Sequence, residues 1–363
     1  MGRSLSGRTS AEEPESGAGP RGDSPLPRVD GLAQAGAVSA SETMDVRPLG
    51  GTGLLRTLHG LVPLGRKYHP LLSLLNGRRG LAALPFGGAE LVHPLAWSKA
   101  ATGLFLAGEG YVPEVRLLPP ILEPLKDGLL VDVGANIGIY PLLFRRHSRL
   151  PIAAFEPQPL LFRLLEACVR HNGWKDVECH NLACGDSEGE VPFSIGLNGE
   201  VATGDAAREA IRLADLDLAE AIHDTHAARK SVMVPLTTLD VALAGRKVAF
   251  LKIDCEGFEF RILTGARRIL AEQRPILFVE VHPLGLEKFG SSAQGVLDLL
   301  SPLYELEGWD FSESRFGSKL SRSLAKHRPT EGRKFDSMGS FLDAARQEPR
   351  PTQLYLVCRP KSR

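Results

Sequence analysis

Residues 129–140 read Leu-Leu-Val-Asp-Val-Gly-Ala-Asn-Ile-Gly-Ile-Tyr. An apolar strand, Leu129 to Val133, runs into a glycine-bearing turn, and a helix opens near Gly138. Gly134 and Gly138 carry no Cβ, so backbone there can approach a ligand closely. The helix N-terminus beyond the turn offers unpaired N–H groups. A second apolar strand, Pro151 to Phe155, ends at Glu156. That is about twenty residues on, where a doubly wound fold sets a carboxylate against ribose hydroxyls. The pattern predicts an adenosine-containing cofactor. The plainer alternative is a strand–turn–helix whose glycines serve packing alone.

A dinucleotide site would read G-x-G-x-x-G and seat pyrophosphate on the helix N-terminus. Here Gly134-Ala135-Asn136-Ile137-Gly138 lacks the middle glycine. Asp132 also stands just before the turn, where its charge would repel a pyrophosphate. A carboxylate there suits a cation or a zwitterion. S-adenosylmethionine brings a sulfonium and an ammonium without phosphate, so it fits the charge. Gly134, Ala135, Asn136 and Gly138 are expected to lie against its methionine moiety. Asp132 is expected to fix the turn or the cofactor ammonium, and Glu156 to take both ribose hydroxyls.

Downstream, Val234-Pro235-Leu236-Thr237-Thr238-Leu239-Asp240 leads into Phe250-Leu251-Lys252-Ile253-Asp254-Cys255-Glu256-Gly257-Phe258-Glu259. Leu263-Thr264-Gly265-Ala266 and Ile276-Leu277-Phe278-Val279-Glu280-Val281-His282-Pro283 follow. With Asp132 to Gly138 and Phe155-Glu156-Pro157, these segments resemble the FkbM-type methyltransferases, which use S-adenosylmethionine. The resemblance covers roughly residues 105–310, with the motifs in family order. It implies a class I methyltransferase fold and, usually, O-methylation of a sugar, polyketide or related hydroxyl. It also supports Glu156 as the ribose ligand.

The charged residues balance, 43 basic against 43 acidic, so no global field favours nucleic acid or an anionic membrane. Hydrophobic content of 43% is sufficient for a substantial core. Five cysteines without a C-x-x-C pair argue against a disulfide framework and a zinc site. Their scatter suggests buried thiols in a reducing compartment. No run approaches the ~18 apolar residues a membrane span needs, and the N-terminus lacks the apolar stretch of a signal peptide. The chain reads as cytoplasmic.

Residues 1–45 are rich in Gly, Ser, Pro, Ala and Glu and cannot bury enough surface to offset chain entropy, which predicts a disordered tail. Met44, at its end, offers an alternative start of translation. Residues 46–126 form an extension: two short helices between Leu54 and Leu75, a hairpin around Phe86-Gly87-Gly88, and helices near 95–106 and 114–125. Residues 127–310 alternate strand and helix, which predicts a mostly parallel, doubly wound α/β (Rossmann-like) sheet. Strands are expected near 129–133, 151–155, 177–182, 248–253, 275–281 and 303–307. Helices are expected near 138–147, 158–172, 237–244, 258–272 and 292–301. Val191 to Ile195 and Val232 to Pro235 make an extra strand pair. Between them the Ala-rich segment 206–229 is either a lid over the substrate or a solvated surface helix. Residues 311–363 hold a basic loop, 315–334, and a last strand, Gln353 to Cys358. That strand would close the sheet as the antiparallel seventh member expected of this fold. The basic loop is either solvated or a patch for an anionic acceptor.

Methyl transfer from a sulfonium is an in-line displacement, so alignment matters most and can supply about 7–11 kcal/mol. A hydroxyl acceptor also needs a base within hydrogen-bond reach. Ligands of open parallel sheets sit beyond the carboxyl ends of the strands, at the switch point. That rule selects Asp132 to Gly138, Glu156, Asp254 to Glu256 and Glu280 to His282. Asp254, ending the fourth strand, is the first candidate base. His282 is the second; neutral imidazole suits proton abstraction near pH 7, although a His before Pro283 can equally serve the following loop. Glu256 either joins the site or, with Glu259, caps the helix after Gly257. Lys252 either orients the acceptor or pairs with a carboxylate. Asp186, after the third strand, is the expected partner of the adenine amino group, with an ordinary turn as the alternative.

Asp254, Glu256, Glu280 and His282 could instead hold a divalent metal, but the expectation is of none. The leading function is O-methylation of a small-molecule or glycan hydroxyl, with neither DNA nor a transmembrane segment involved. An amine, protein or RNA acceptor and a non-catalytic cofactor-binding scaffold remain as alternatives.

Overall fold

Short apolar runs separated by helices become one central sheet. The computed structural model describes residues 46–61, 68–77, 79–195, 201–203, 231–312, 332–347 and 353–362. All of these belong to one compact unit, Val38–Arg363. The tail 1–45, the insertion 206–229 and residues 315–331 of the basic loop lie outside the described residues. Among the described residues no helix is long and apolar enough to cross a membrane.

The extension comprises β1 (Val46–Pro48), α1 (Thr52–Leu61), α2 (His69–Asn76), β2 (Leu81–Phe86), β3 (Ala89–Pro94), α3 (Ser98–Ala107) and α4 (Pro119–Leu122). Pro70 sits in the first turn of α2, where its missing N–H costs nothing. Gly87 and Gly88 both take positive φ, as a two-residue hairpin turn between twisted strands requires. The sequence gives no sign of β1, which pairs parallel with β2.

The core continues as β4 (Leu129–Val133), α5 (Ile139–His147), β5 (Ile152–Phe155), α6 (Pro159–His171), β6 (Val177–His180), β7 (Ala183–Cys184), β8 (Gly189–Ser194), β9 (Ser231–Thr237) and α7 (Leu239–Ala242). It ends with β10 (Val248–Ile253), α8 (Glu259–Thr264), β11 (Ile276–Val281), α9 (Pro283–Lys288), α10 (Ala293–Leu300), β12 (Tyr304–Asp310), β13 (Arg333–Lys334), α11 (Met338–Arg346) and β14 (Leu354–Pro360). The main sheet runs β13-β12-β14-β11-β10-β4-β5-β6. Neighbours from β11 to β6 are parallel, while β14 lies antiparallel between β11 and β12. This is a doubly wound, Rossmann-like α/β sheet. It has eight strands where seven were expected, because the short β13 pairs antiparallel with β12. The hairpin docks on α6 through Glu90, whose backbone oxygen accepts from Asn172 Nδ2 at 2.7 Å.

The expected helix 258–272 is broken. A Cβ on Gly265 would lie 1.8 Å from the Gly185 carbonyl oxygen, so the chain must pass the neighbouring backbone closely there. The helix restarts under Asp240, whose carboxylate accepts from the backbone N–H groups of Arg268 (2.8 Å) and Ile269 (2.9 Å). Thr238 caps α7 through Val241 N–H. Two of the motif segments read from the sequence, Thr237 to Asp240 and Leu263 to Ala266, are therefore accounted for by local architecture.

Candidate active site

The chain reverses direction across the sheet between β4 and β10, and the turns leaving these two strands face each other. Gly134, at φ +81°, has no room for a side chain: a Cβ would meet the Asp254 carbonyl oxygen at 2.0 Å. The glycine thus permits the close approach of the two strand ends as well as exposing backbone. The Cβ of a residue at position 138 would point toward Leu165 and Cys168 of α6, so Gly138 serves packing and the left-handed start of α5.

Glu156 bridges the turn and its own strand exit. Its Oε2 accepts from Asn136 N–H and its Oε1 from Gln158 N–H, each at 2.8 Å. Burial pushes its carboxyl up to about 7, the two backbone N–H groups opposing. Asp132 is wholly buried and lies 2.9 Å from Lys252 Nζ, which also donates to the Gly134 carbonyl. Asp132 therefore does not reach the cavity; it holds the turn through Lys252. Burial opposes the Lys252 charge, but Asp132 and Asp254 outweigh it and raise its pKa.

Opposite stands a cluster of carboxylates around His282. Nε2 of His282 lies 3.6 Å from Glu256 Oε2, 3.6 Å from Glu280 Oε1 and 3.9 Å from Asp254 Oδ1. Nδ1 lies 2.7 Å from Oε1 of the fully buried Glu259, which also accepts from Gly257 N–H. Burial disfavours the imidazolium, but Glu259, Glu280 and Asp254 raise its pKa well above the ordinary value. Its side chain does not serve the following loop; it turns to Glu259. Burial and the charge of Asp254 raise Glu280, whose Oε2 accepts from Tyr355 OH at 2.6 Å.

A cavity of about 730 Å³ lies between the two groups, lined by Gly134, Asn136 and Glu156 on one side and Asp254, Glu280 and His282 on the other. The structure thus brings together Gly134, Ala135, Asn136, Glu156, Asp254, Glu256 and His282. Asp186 is not among the lining residues; its carboxylate is 3.2 Å from Arg261 Nη1 in a partly exposed ion pair. A short polar side chain in a turn finds its nearest cation, and α8 presents Arg261 there. Sequence reasoning missed Glu114, buried against the cavity, whose Oε1 accepts from Tyr140 OH at 2.8 Å. It also missed the wall from the extension: His93, Trp97, Leu104 and Tyr111. Burial lowers His93 to about 4. No local motif announces these residues, since their nearness is set by how the extension docks.

Residues 132–312 match the model of the methyltransferase FkbM domain. The chain carries an FkbM methyltransferase domain. Its sequence is 29% identical over 229 residues to AMB antimetabolite synthetase AmbE of Pseudomonas aeruginosa, covering 56% of this chain and 10% of that protein. It is 27% identical over 146 residues to Methyltransferase 1 of Beauveria bassiana, covering 38% of this chain and 58% of that protein. The chain thus spans less than two thirds of either relative. Among solved structures, methyltransferase FkbM from Methylobacillus flagellatus superposes with a TM-score of 0.36 at 16% identity, over 72% of this chain and 54% of the other. TYW2 of P. horikoshii in complex with MeSAdo gives 0.38 at 12%, over 82% and 83%.

Proposed function

We propose that this FkbM-domain protein is an S-adenosylmethionine-dependent O-methyltransferase acting on a hydroxyl of a small molecule or glycan. The observation that carries the reading is the cavity at the switch point, with the glycine turn and Glu156 facing Asp254 across it. Its volume falls in the usual range for small-ligand sites. The carboxylates of Glu114, Glu156, Asp254, Glu256 and Glu280 line it against Lys252 and Lys288, and Lys252 already faces Asp132. That balance fits a sulfonium and an ammonium and disfavours a pyrophosphate.

Bound there, S-adenosylmethionine supplies a methyl group on a positively charged sulfur. The chain's own groups supply the rest. Glu156, steadied by two backbone N–H groups, keeps lone pairs for the ribose hydroxyls. Gly134 to Asn136 present bare backbone to the methionine moiety. Asp254, 27% exposed at the cavity, takes the acceptor proton. His282, whose Nδ1 is held by Glu259, is the better orienting group. The wall of Trp97, Leu104 and Tyr111 offers an acceptor an apolar face.

Calorimetry tests the reading. The purified protein is expected to bind S-adenosylmethionine and its demethylated product in the micromolar range, and not NAD. Binding of NAD without S-adenosylmethionine would overturn the cofactor assignment.

A further inference from the structure

We propose that Asp254, Glu280 and His282 hold a divalent cation, Mg²⁺ or Mn²⁺, at the acceptor end of the cavity. The inference rests on the reading of this cavity as a methyl-transfer site and deepens it, since the cation gives an acceptor oxygen its binding position.

One carboxylate oxygen each from Asp254 and Glu280 and one imidazole nitrogen of His282 lie within 4.8 Å of one another. Nε2 stands 3.9 Å from Asp254 Oδ1 and 3.6 Å from Glu280 Oε1. These separations are too long for hydrogen bonds. They are shorter than the span of two ligands on opposite sides of a shared ion, each about 2.1 Å from it. All three residues come from the carboxyl ends of adjacent buried strands, Asp254 just after β10, Glu280 in β11 and His282 just after it. Their backbones are therefore fixed relative to one another.

Two independent features aim these groups at a common point. The first is the partner of the other imidazole nitrogen. Nδ1 is held at 2.7 Å by the fully buried Glu259, which leaves Nε2 turned to the carboxylates. Metal-ligating histidines are held in this manner, their second nitrogen on a carboxylate that sets ring orientation and tautomer. The second is Glu280, whose side chain is 8% exposed. Tyr355 fixes its Oε2, whereas Oε1 meets no donor within hydrogen-bond distance among the described residues. Glu280 lines the cavity, so Oε1 keeps its lone pairs for a cation there. Lys252 is not that cation, because it lies 2.9 Å from Asp132 and over the Tyr140 ring.

Donor chemistry selects the ion. Two carboxylates and one imidazole without a thiolate make an oxygen-rich set that suits Mg²⁺ or Mn²⁺. The remaining positions face the cavity, so the acceptor class this arrangement selects presents neighbouring oxygens, as a sugar diol does. Asp254 would bind through Oδ1 and keep Oδ2, 3.6 Å from Lys252 Nζ, for the acceptor proton.

The test titrates the metal-free full chain with Mn²⁺, following the free ion by electron paramagnetic resonance. Calorimetry with S-adenosylhomocysteine runs on the same sample. A single saturable ion per chain is expected. Asp254→Asn and Glu280→Gln should each weaken it by at least about tenfold, and Glu259→Gln by about ten- to a hundredfold, the usual cost of losing a ligand's supporting carboxylate. Gln at position 280 still accepts from Tyr355, and Asp254 is partly exposed, so should one variant not fold, the other decides. Absence of saturable uptake, or equal uptake by wild type and Asp254→Asn, overturns the proposal. Retained S-adenosylhomocysteine binding in that event leaves the methyltransferase reading standing. Loss of both overturns both.

Discussion

The two faces of the cavity are built on different principles. On the β4–β5 side, backbone satisfies the charged group: Glu156 receives Asn136 and Gln158 N–H, and Lys252 ties Asp132 to the Gly134 carbonyl. On the β10–β11 side, Asp254, Glu256 and Glu280 crowd around one imidazole at 3.6–3.9 Å, with no hydrogen bond between them and Nε2. Placed polar donors and acceptors suit recognition of a neutral group such as a ribose diol. Crowded like charges suit a task in which a proton or a cation moves in. The difference teaches where affinity and where rate should reside.

The sharpest way to break the comparison is Asp254→Asn. Asn keeps the shape and one acceptor oxygen but cannot take a proton. Turnover, measured by transfer of a labelled methyl group to an acceptor, should fall by about a hundred- to ten-thousandfold, with the dissociation constant of S-adenosylmethionine little changed. A lost affinity at intact turnover would exchange the roles of the two faces.

Next in size is Glu156→Gln, expected to weaken the cofactor by about 1.5–3 kcal/mol, the scale of hydrogen bonds to a charged group. Its pH dependence has a defined sign. The folded carboxyl titrates at about 7, above its ordinary value. The ionised form is the better acceptor for ribose hydroxyls, so affinity should rise as pH increases through about 7 in wild type and stay flat in the variant. Stability of the cofactor-free protein runs the opposite way. A raised folded pKa contributes stability that is present below the unfolded value and lost as pH rises through about 7. Wild type should therefore lose on the order of 3 kcal/mol relative to Glu156→Gln across that window, read from denaturant melts. Parallel pH profiles for the two proteins would show that Glu156 does not titrate there.

The smallest effect belongs to Asp186→Ala. Its carboxylate lies against Arg261 outside the cavity lining, and removal of such a surface pair should change cofactor affinity by less than about 0.5 kcal/mol. A tenfold loss would return Asp186 to the adenine site.

The sequence by itself determined the strand–turn–helix at 129–147, the parallel core and the residues at its strand ends. Alternating apolar runs, glycines at positive φ and the exit positions of strands are local signals, legible in a single chain. The family follows from the same stretches. Only the tertiary structure decided what those residues touch. Asp132, read as fixing the turn or the cofactor ammonium, is taken up by Lys252, and Asp186, read as an adenine contact or a turn residue, by Arg261. Glu114 and Tyr140, 26 residues apart, meet at 2.8 Å because the extension folds back on α5. Glu280 faces Tyr355 because β14 inserts antiparallel beside β11 in that register, and Glu259 reaches His282 because the helix after β10 starts where it does. The upward pKa shift of His282 follows from these long-range meetings. Coulombic and desolvation energies depend on distance and burial, which residue order does not carry.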